Sequence, residues 1–447
     1  MELRIEGGKP LIGNFEVPPD KSITHRALML ASLCEGQSVI EAKGIGEDNQ
    51  STKKVLTDLG VAIQEDNGSI IVTSQGAKHF ITPNQPLDCG NSGTTMRLLS
   101  GILAGAGINA ELCGDASLSG RPMGRVCEPL RKLGANIRGT ITNGRELPPL
   151  RIDATKAFKG GAIEVNVASA QVKSAIILAG VTSGRSVSVR QPAVSRNHTE
   201  TMLKALGAPI RSYQETLGSV VVELGDGTKL LPTHFKIPGD FSSAAFFLAA
   251  GVLVADSRIT ITNVGMNVTR NAFLDVMLGV GARIDVADLN EHNGESVATL
   301  RVQPSFLCTP NSESESYIVG GGKIPLLIDE LVILAALASQ VRGTTKVQDA
   351  HELRVKESDR ISETLRLLSS FGVQAIEQPD GFIIKGPQQL KAARVDVSSD
   401  HRIALTAAVL ALAAPGESIL SGFEVAAVSY PGFIDVLQKL GAKVRVA

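Results

Sequence analysis

Seven cationic side chains, Lys21, Arg26, Arg121, Arg196, Lys356, Arg360 and Arg402, stand in short polar motifs between long apolar segments. PPDKSITHR puts Lys21 and Ser22 at the first turn of a helix, with Arg26 one turn later. A helix N-terminus offers unsatisfied backbone N–H groups and about half a positive charge, so added cations and a hydroxyl make an anion site. A Ser N-cap beside solvated cations accounts for the same residues. The motif is not a Walker loop, because Asp20 stands where that loop needs glycine. DCGNSGTTMR repeats the theme: Gly90 and Gly93 let backbone approach a ligand and Thr94 supplies a hydroxyl, although an ordinary strand-to-helix turn has the same signature. ASAQVKS adds Ser169, Gln171 and Lys173, SGRPMGR adds Arg121 and Arg125, and SRNHTE adds Arg196 and His198.

The acidic candidates lie further on. Asp329 and Glu330 begin one apolar helix, and Asp400, His401 and Arg402 begin another. Asp in that position is ordinarily a cap, and Asp240 is read as one, so spacing leaves Asp329 between cap and base. HELRVKESDR, from His351 to Arg360, is the densest charged run. Read as a helix, it puts Lys356 and Arg360 on one face with Glu357 and Asp359 flanking them; a solvated charged face is the plain alternative. Taken together, the seven cations could match two phosphorylated carboxylates carrying roughly five to six negative charges.

The elements that must position these residues recur six times. One helix of each pair ends in an apolar-Gly-small signature, at Gly60, Gly134, Gly207, Gly281, Gly372 and Gly441, spaced by 74, 73, 74, 91 and 69 residues. Glycine is expected there as the left-handed residue that closes an amphipathic helix. The other helix begins near Ser22, Gly93, Gln171, Ser242, Asp329 and His401 and is apolar nearly all round, as a buried helix must be. The predicted unit is buried helix, strand, amphipathic helix, then strand or hairpin, with a linking strand before the next copy. Six units split into two halves of three, with the break near Lys236 to Gly239. An insertion near Asn290 to Glu295 and the polar NSESES stretch from Asn311 read as solvated loops. Duplication of a purely structural scaffold would give the same periodicity. Against it stands the recurrence of polar residues at one point of every unit.

Composition narrows the field. The chain has 447 residues, 43% hydrophobic and 20% charged, with 45 Gly, no Trp and 4% aromatics, so its core must rest on small aliphatic side chains. A formal charge of −1 argues against a generic polyanion binder. The longest apolar stretches, Ala244 to Ala255 and Ile403 to Ala414, are too short to span a membrane. The N-terminus has no apolar leader segment, and five scattered cysteines without a CxxC argue against a disulfide framework or zinc site. A reduced, cytoplasmic protein is expected.

PDKSITHR, GNSGTTMR, GRPM, SAQVKS, RVKESDR and DHRIA, in that order over the whole chain, resemble the signatures of the 3-phosphoshikimate 1-carboxyvinyltransferase (EPSP synthase) family. SAQVK, RNHTE and NVTR (Asn267 to Arg270) resemble its class II branch. The resemblance implies transfer of the enolpyruvyl group of phosphoenolpyruvate to the 5-hydroxyl of shikimate 3-phosphate, a step of the shikimate pathway toward chorismate and the aromatic amino acids. It implies a two-domain inside-out α/β barrel: six βαβαββ units with buried helices and outer sheets. One domain would span residues 20–236, and residues 1–19 plus 237–447 the other, with the active site in the interdomain cleft. The first strand's place in the C-terminal half comes with the resemblance.

By the same resemblance Lys21, Ser22, Arg26, Ser169, Ala170, Gln171, Arg196, Asp329 and Lys356 would hold shikimate 3-phosphate. Lys21, Gly93, Thr94, Arg121, Gln171, Glu357, Arg360 and Arg402 would hold phosphoenolpyruvate. Asp329 would take the proton of the attacking hydroxyl, and Glu357, with Lys21, would protonate the methylene. That role requires burial to raise the Glu357 carboxyl against the cations that pull it down. No metal or other cofactor is implied, and a monomer is expected. Two departures stand out. Val428 precedes the Ser429–Pro431 turn where many members carry lysine. Gly93 keeps open the space filled by Ala in some glyphosate-tolerant members, whereas the class II motifs lean toward tolerance. The sister enzyme acting on a UDP-amino sugar carries a loop cysteine where this chain has Ala116; Cys113 lies three residues earlier. A non-catalytic phosphometabolite-binding repeat protein is the rival from another class.

Overall fold

The computed structural model describes residues 1–154, 158–216, 218–310 and 316–447. The polar stretch from Asn311 to Glu315 lies outside the described residues. Met1–Pro18, Pro238–Asn290 and Ser296–Ala447 form one compact unit, here the C-terminal unit; Pro19–Ile237 and Glu291–Glu295 form the N-terminal unit. Glu291–Glu295 thus groups with the N-terminal unit, whereas the sequence reading put these residues in the other half. Local bonding gives the reason. The Asn293 side chain accepts from Lys236 N and donates to His234 O, both at 3.0 Å. Glu295 is buried against His198, with Oε1 2.7 Å from Nδ1.

The described residues contain six four-stranded sheets, three to each unit, all built to one plan. Each has a short linking strand parallel to the strand after the buried helix, which then pairs antiparallel with the nearer of two further strands; these form a hairpin in five of the sheets. In the first sheet His234–Lys236 lies parallel to Val39–Glu41, so the last strand of the N-terminal unit returns to its first sheet. Glu35–Glu41 then pairs with Ser69–Gln75, and that strand with Ala62–Asp66. In the C-terminal unit Ile12–Glu16 is the linking strand, parallel to Arg258–Thr262. Glu2–Glu6 lies between Glu417–Ser421 and Lys443–Val446 in the sheet of the sixth repeat.

The nearly all-apolar helices are interior. They run Lys21–Leu33, Gly93–Ala106, Ala170–Ser183, Phe241–Leu253, Leu331–Ala338 and His401–Ala413. Small residues let them touch backbone to backbone: a Cβ at Gly101 would overlap the carbonyl oxygen of Ala175, and one at Gly105 that of Ala179. The glycines ending the amphipathic helices have φ of +91° (Gly60), +99° (Gly134), +81° (Gly207), +91° (Gly281), +82° (Gly372) and +91° (Gly441). Only a residue without Cβ adopts that conformation at no steric cost, and this is why the signature recurs. Each unit has its own apolar core. No helix among the described residues is long and apolar enough to cross a membrane.

Two local expectations change. The fifth buried helix begins at Leu331, which leaves Asp329 and Glu330 in the turn before it. HELRVKESDR is not one helix: His351–Val355 is a 3-10 turn, Lys356 is extended, and the helix starts at Arg360. Asp359 causes the break, since its Oδ1 accepts from Ile361 N at 3.1 Å and Ser362 N at 3.2 Å, capping a helix that cannot then run back through it.

Candidate active site

In the N-terminal unit the polar side chains collect at the starts of its three buried helices. Asp20, rather than Ser22, caps the first, its Oδ1 accepting from Ile23 N at 2.9 Å. That leaves the Ser22 hydroxyl outside the cap. Lys21 Nζ is 2.8 Å from Asp48 Oδ2, and Asn49 holds the Lys21 carbonyl at 3.0 Å. Arg26 is buried and donates to Ser22 O (2.9 Å), Ser174 Oγ (3.0 Å) and Thr199 Oγ1 (2.7 Å). Burial draws its guanidinium down to about 10, with Glu200 opposing the shift and Arg196 adding to it. Arg196 therefore belongs to the same charged neighbourhood as Arg26.

The second and third helix starts meet. Ser92 caps one, accepting from Thr95 N at 3.1 Å, and Ser169 caps the other, accepting from Val172 N at 3.4 Å. Gln171 joins them: its Oε1 accepts from Arg97 at 2.7 Å and its Nε2 donates to Thr94 Oγ1 at 2.8 Å. Arg121 is held by Asn91 Oδ1 at 2.6 Å and Ser117 Oγ at 3.0 Å. A Cβ on Gly93 would stand 2.7 Å from Arg97 Nη1 and 3.5 Å from Arg121 Nη1, so the glycine leaves room for both guanidiniums. Gly93, Thr94, Gln171 and Arg121 are thus one cluster, and Arg97 belongs to it.

In the C-terminal unit the organising group is Arg360, almost wholly buried. It lies 2.8 Å from Asp400 Oδ2, 2.6 Å from Glu357 Oε2 and 3.5 Å from Asp329 Oδ1. Burial alone would lower its pKa, but Asp400, Glu357 and Asp329 together hold it above the ordinary arginine value. Asp400 is buried too, and the Arg360 charge keeps its carboxyl below the usual range against that burial. Asp400 also accepts from Arg402 N at 2.8 Å, capping the sixth buried helix. Arg402 Nε is 3.5 Å from Asp329 Oδ1, so this carboxylate is shared between two guanidiniums. Burial lowers the Lys356 pKa, with Asp329 the largest opposing influence. The five residues expected from this half, Asp329, Lys356, Glu357, Arg360 and Arg402, therefore form one electrostatic cluster. Its carboxylates could exchange protons while its cations hold anions.

Residues 5–437 match the profile of EPSP synthase (3-phosphoshikimate 1-carboxyvinyltransferase). The chain belongs to the EPSP synthase family. It is 43% identical to the 3-phosphoshikimate 1-carboxyvinyltransferase of Synechococcus sp. (strain RCC307), covering 98% of each chain. To the protein of that name from Streptococcus uberis it is 42% identical, covering 98% of this chain and 99% of the other. The solved EPSP synthase from Acinetobacter baumannii superposes with a TM-score of 0.85 at 32% identity over 100% of both chains. The enolpyruvyl transferase NikO from Streptomyces tendae shares the fold, with a TM-score of 0.75 at 18% identity over 99% of this chain and 98% of the other.

Sequence reasoning passed over Arg97 and Asp48 as parts of these clusters, and it named Asp400 at a helix start without assigning it a partner. Arg97 had a signal: it lies four residues after Gly93 on the same helix, so the two share a face. Asp48 had none, because its amphipathic helix reads as a solvated charged surface. Among the described residues no group of three or more His, Cys, Asp or Glu side chains is placed to hold a metal ion.

Proposed function

We propose that the two clusters act on one pair of substrates, shikimate 3-phosphate and phosphoenolpyruvate. The reaction is that of an EPSP synthase: the enolpyruvyl group of phosphoenolpyruvate passes to the 5-hydroxyl of shikimate 3-phosphate and phosphate is released. Residues 20–236 form the shikimate 3-phosphate side, and residues 1–19 plus 237–447 contribute Asp329, Lys356, Glu357, Arg360 and Arg402. Lys21, Ser22, Arg26, Ser169, Ala170, Gln171, Arg196, Asp329 and Lys356 bind shikimate 3-phosphate. Lys21, Gly93, Thr94, Arg121, Gln171, Glu357, Arg360 and Arg402 bind phosphoenolpyruvate. The enzyme works as a cytoplasmic monomer.

The observation that supports this reading best is the Asp329 carboxylate 3.5 Å from both Arg360 and Arg402. In it Asp329 takes the proton as the 5-hydroxyl attacks the C2 carbon of phosphoenolpyruvate. Glu357, aided by Lys21, delivers a proton to the methylene carbon, which becomes a methyl group. As phosphate is expelled from the resulting tetrahedral adduct, Glu357 takes a proton back from that methyl and the C=C bond of the product's enol ether forms. Buried cations around the developing charge are worth more than the same cations in water.

Phosphate release, measured with both substrates and with each omitted in turn, tests the reading. Phosphate should appear only when both are present, and Asp329→Ala or Glu357→Ala should reduce turnover on the order of 10² or more with the fold retained. Unchanged turnover in both variants would remove these two residues from the mechanism. Turnover with UDP-N-acetylglucosamine in place of shikimate 3-phosphate would overturn the substrate assignment.

A further inference from the structure

Behind the third helix start of the N-terminal unit lies a second set of polar groups that no step of the reaction uses. Gln191, the last residue of the strand Val187–Gln191, has no exposed surface. Its Nε2 donates to the main-chain oxygen of Ser169 at 2.9 Å, and its Oε1 accepts from the hydroxyl of Ser195 at 2.7 Å. Both hydrogen-bonding ends of one buried amide are therefore committed, one to the cap residue of the Ala170–Ser183 helix and one to the residue before Arg196. Nearby, Lys173 is 1% exposed and its Nζ lies 2.5 Å from Glu200 Oε1 and 3.4 Å from Ser195 O. The same Glu200 charge is the chief support for the buried Arg26 cation.

We infer that Gln191 is a positioning residue for recognition of shikimate 3-phosphate, fixing the Ser169–Gln171 helix start and the Arg196 loop in register. The inference rests on the proposal that Ser169 and Arg196 bind that substrate. A polar group buried without a partner is expensive, so the Ser195 hydroxyl and the Ser169 carbonyl hold the amide and are held by it. The strand end is the rigid part. The helix start and the loop, 22 and 4 residues away in sequence, are tied to it independently. Loss of the amide would let Arg196 and Ser169 move relative to one another, and two contacts to one substrate weaken steeply when their separation is no longer fixed. Phosphoenolpyruvate meets this helix start at Gln171, whose Nε2 donates to Thr94 Oγ1 at 2.8 Å, whereas shikimate 3-phosphate meets it at Ser169 and Gln171 and meets the loop at Arg196.

The test uses Gln191→Leu, which removes both bonds, and Gln191→Asn, whose shorter amide can reach one anchor but not both. Binding of shikimate 3-phosphate alone is measured by calorimetry, and KM for each substrate is measured with the other saturating. The expected result is a rise of about tenfold in Kd and KM for shikimate 3-phosphate, smaller for Asn than for Leu, with a several-fold smaller rise in KM for phosphoenolpyruvate, which meets the helix start only through Gln171. Arg196→Ala is run alongside. If it leaves shikimate 3-phosphate binding intact, the underlying assignment fails. If it weakens binding while both Gln191 variants bind normally, the inference about Gln191 alone fails. Equal changes in both KM values, or failure of both Gln191 variants to fold, would make Gln191 a structural residue and overturn the inference.

Discussion

His25 sits in the same motif as Lys21 and Arg26 but faces inward. It is fully buried, with Nδ1 2.7 Å from Thr52 Oγ1, and Nε2 has no hydrogen-bond partner. Burial drives its pKa down to about 3, with Asp48 opposing and Lys21 and Arg26 reinforcing the shift. An unfolded chain binds that proton near 6.5, so between the two values the unfolded state is the more protonated and stability falls with falling pH. The contribution is complete above about pH 6.5, and about 2 kcal/mol of it should be gone by pH 5. Urea denaturation of the parent and of His25→Asn between pH 7 and 5 measures this. The Asn variant, whose amide can still meet Thr52, should show a flatter acid limb, and parallel curves would show that His25 is not the titrating group.

At the scale of the element, the buried helices explain the scarcity of aromatics and the abundance of glycine. Gly93–Ala106 and Ala170–Ser183 approach until main-chain atoms meet, and a Cβ at Gly101 has no side chain to displace, only the carbonyl of Ala175. Helix propensity favours Ala over Gly by about 1 kcal/mol, whereas overpacking against immovable backbone costs about 3 kcal/mol. Gly101→Ala should therefore lose about 2 kcal/mol in urea denaturation. Gly322→Ala, where nothing lies within 4 Å of the added carbon, is the control. Because the same pair of helices carries Thr94 and Gln171, displacement at Gly101 should also weaken phosphoenolpyruvate binding. Full stability and unchanged kinetics in the variant would refute the close-packing account.

At the scale of the whole molecule, neither unit is a simple continuous segment. The strand Glu2–Glu6 supplies the sixth sheet with a central member, pairing through five residues with Glu417–Ser421 and through four with Lys443–Val446. Its own Leu3 and Ile5 are fully buried. Deleting residues 2–6 should leave two strands without their shared neighbour and open the core below them. Limited proteolysis should then cut the C-terminal unit first, around residues 417–446, with loss of far-ultraviolet dichroism. Retention of the parent's dichroism and protease resistance would show that the sheet closes without its central strand.

The features legible in the sequence were those written in short-range patterns. Apolar residues all round a helix mean burial, and a glycine after an amphipathic turn means a left-handed cap; these local facts repeated six times disclosed the units and motifs. HELRVKESDR shows where local reading misleads: the four-residue spacing of Lys356 and Arg360 suggested one helix face, but the Asp359 side chain caps the helix at its start and leaves Lys356 outside it. Through-space pairing was decided by the tertiary structure alone. Arg97 and Gln171 are 74 residues apart, and Arg360 and Asp400 are 40. Gln191 gave no signal at all, since a glutamine ending a strand is ordinary until both ends of its amide are seen to be engaged. A residue's own periodicity tells whether it is buried, because burial depends on the face of its element. Which charge it meets depends on how separate elements close upon one another, and no short stretch of sequence contains that information.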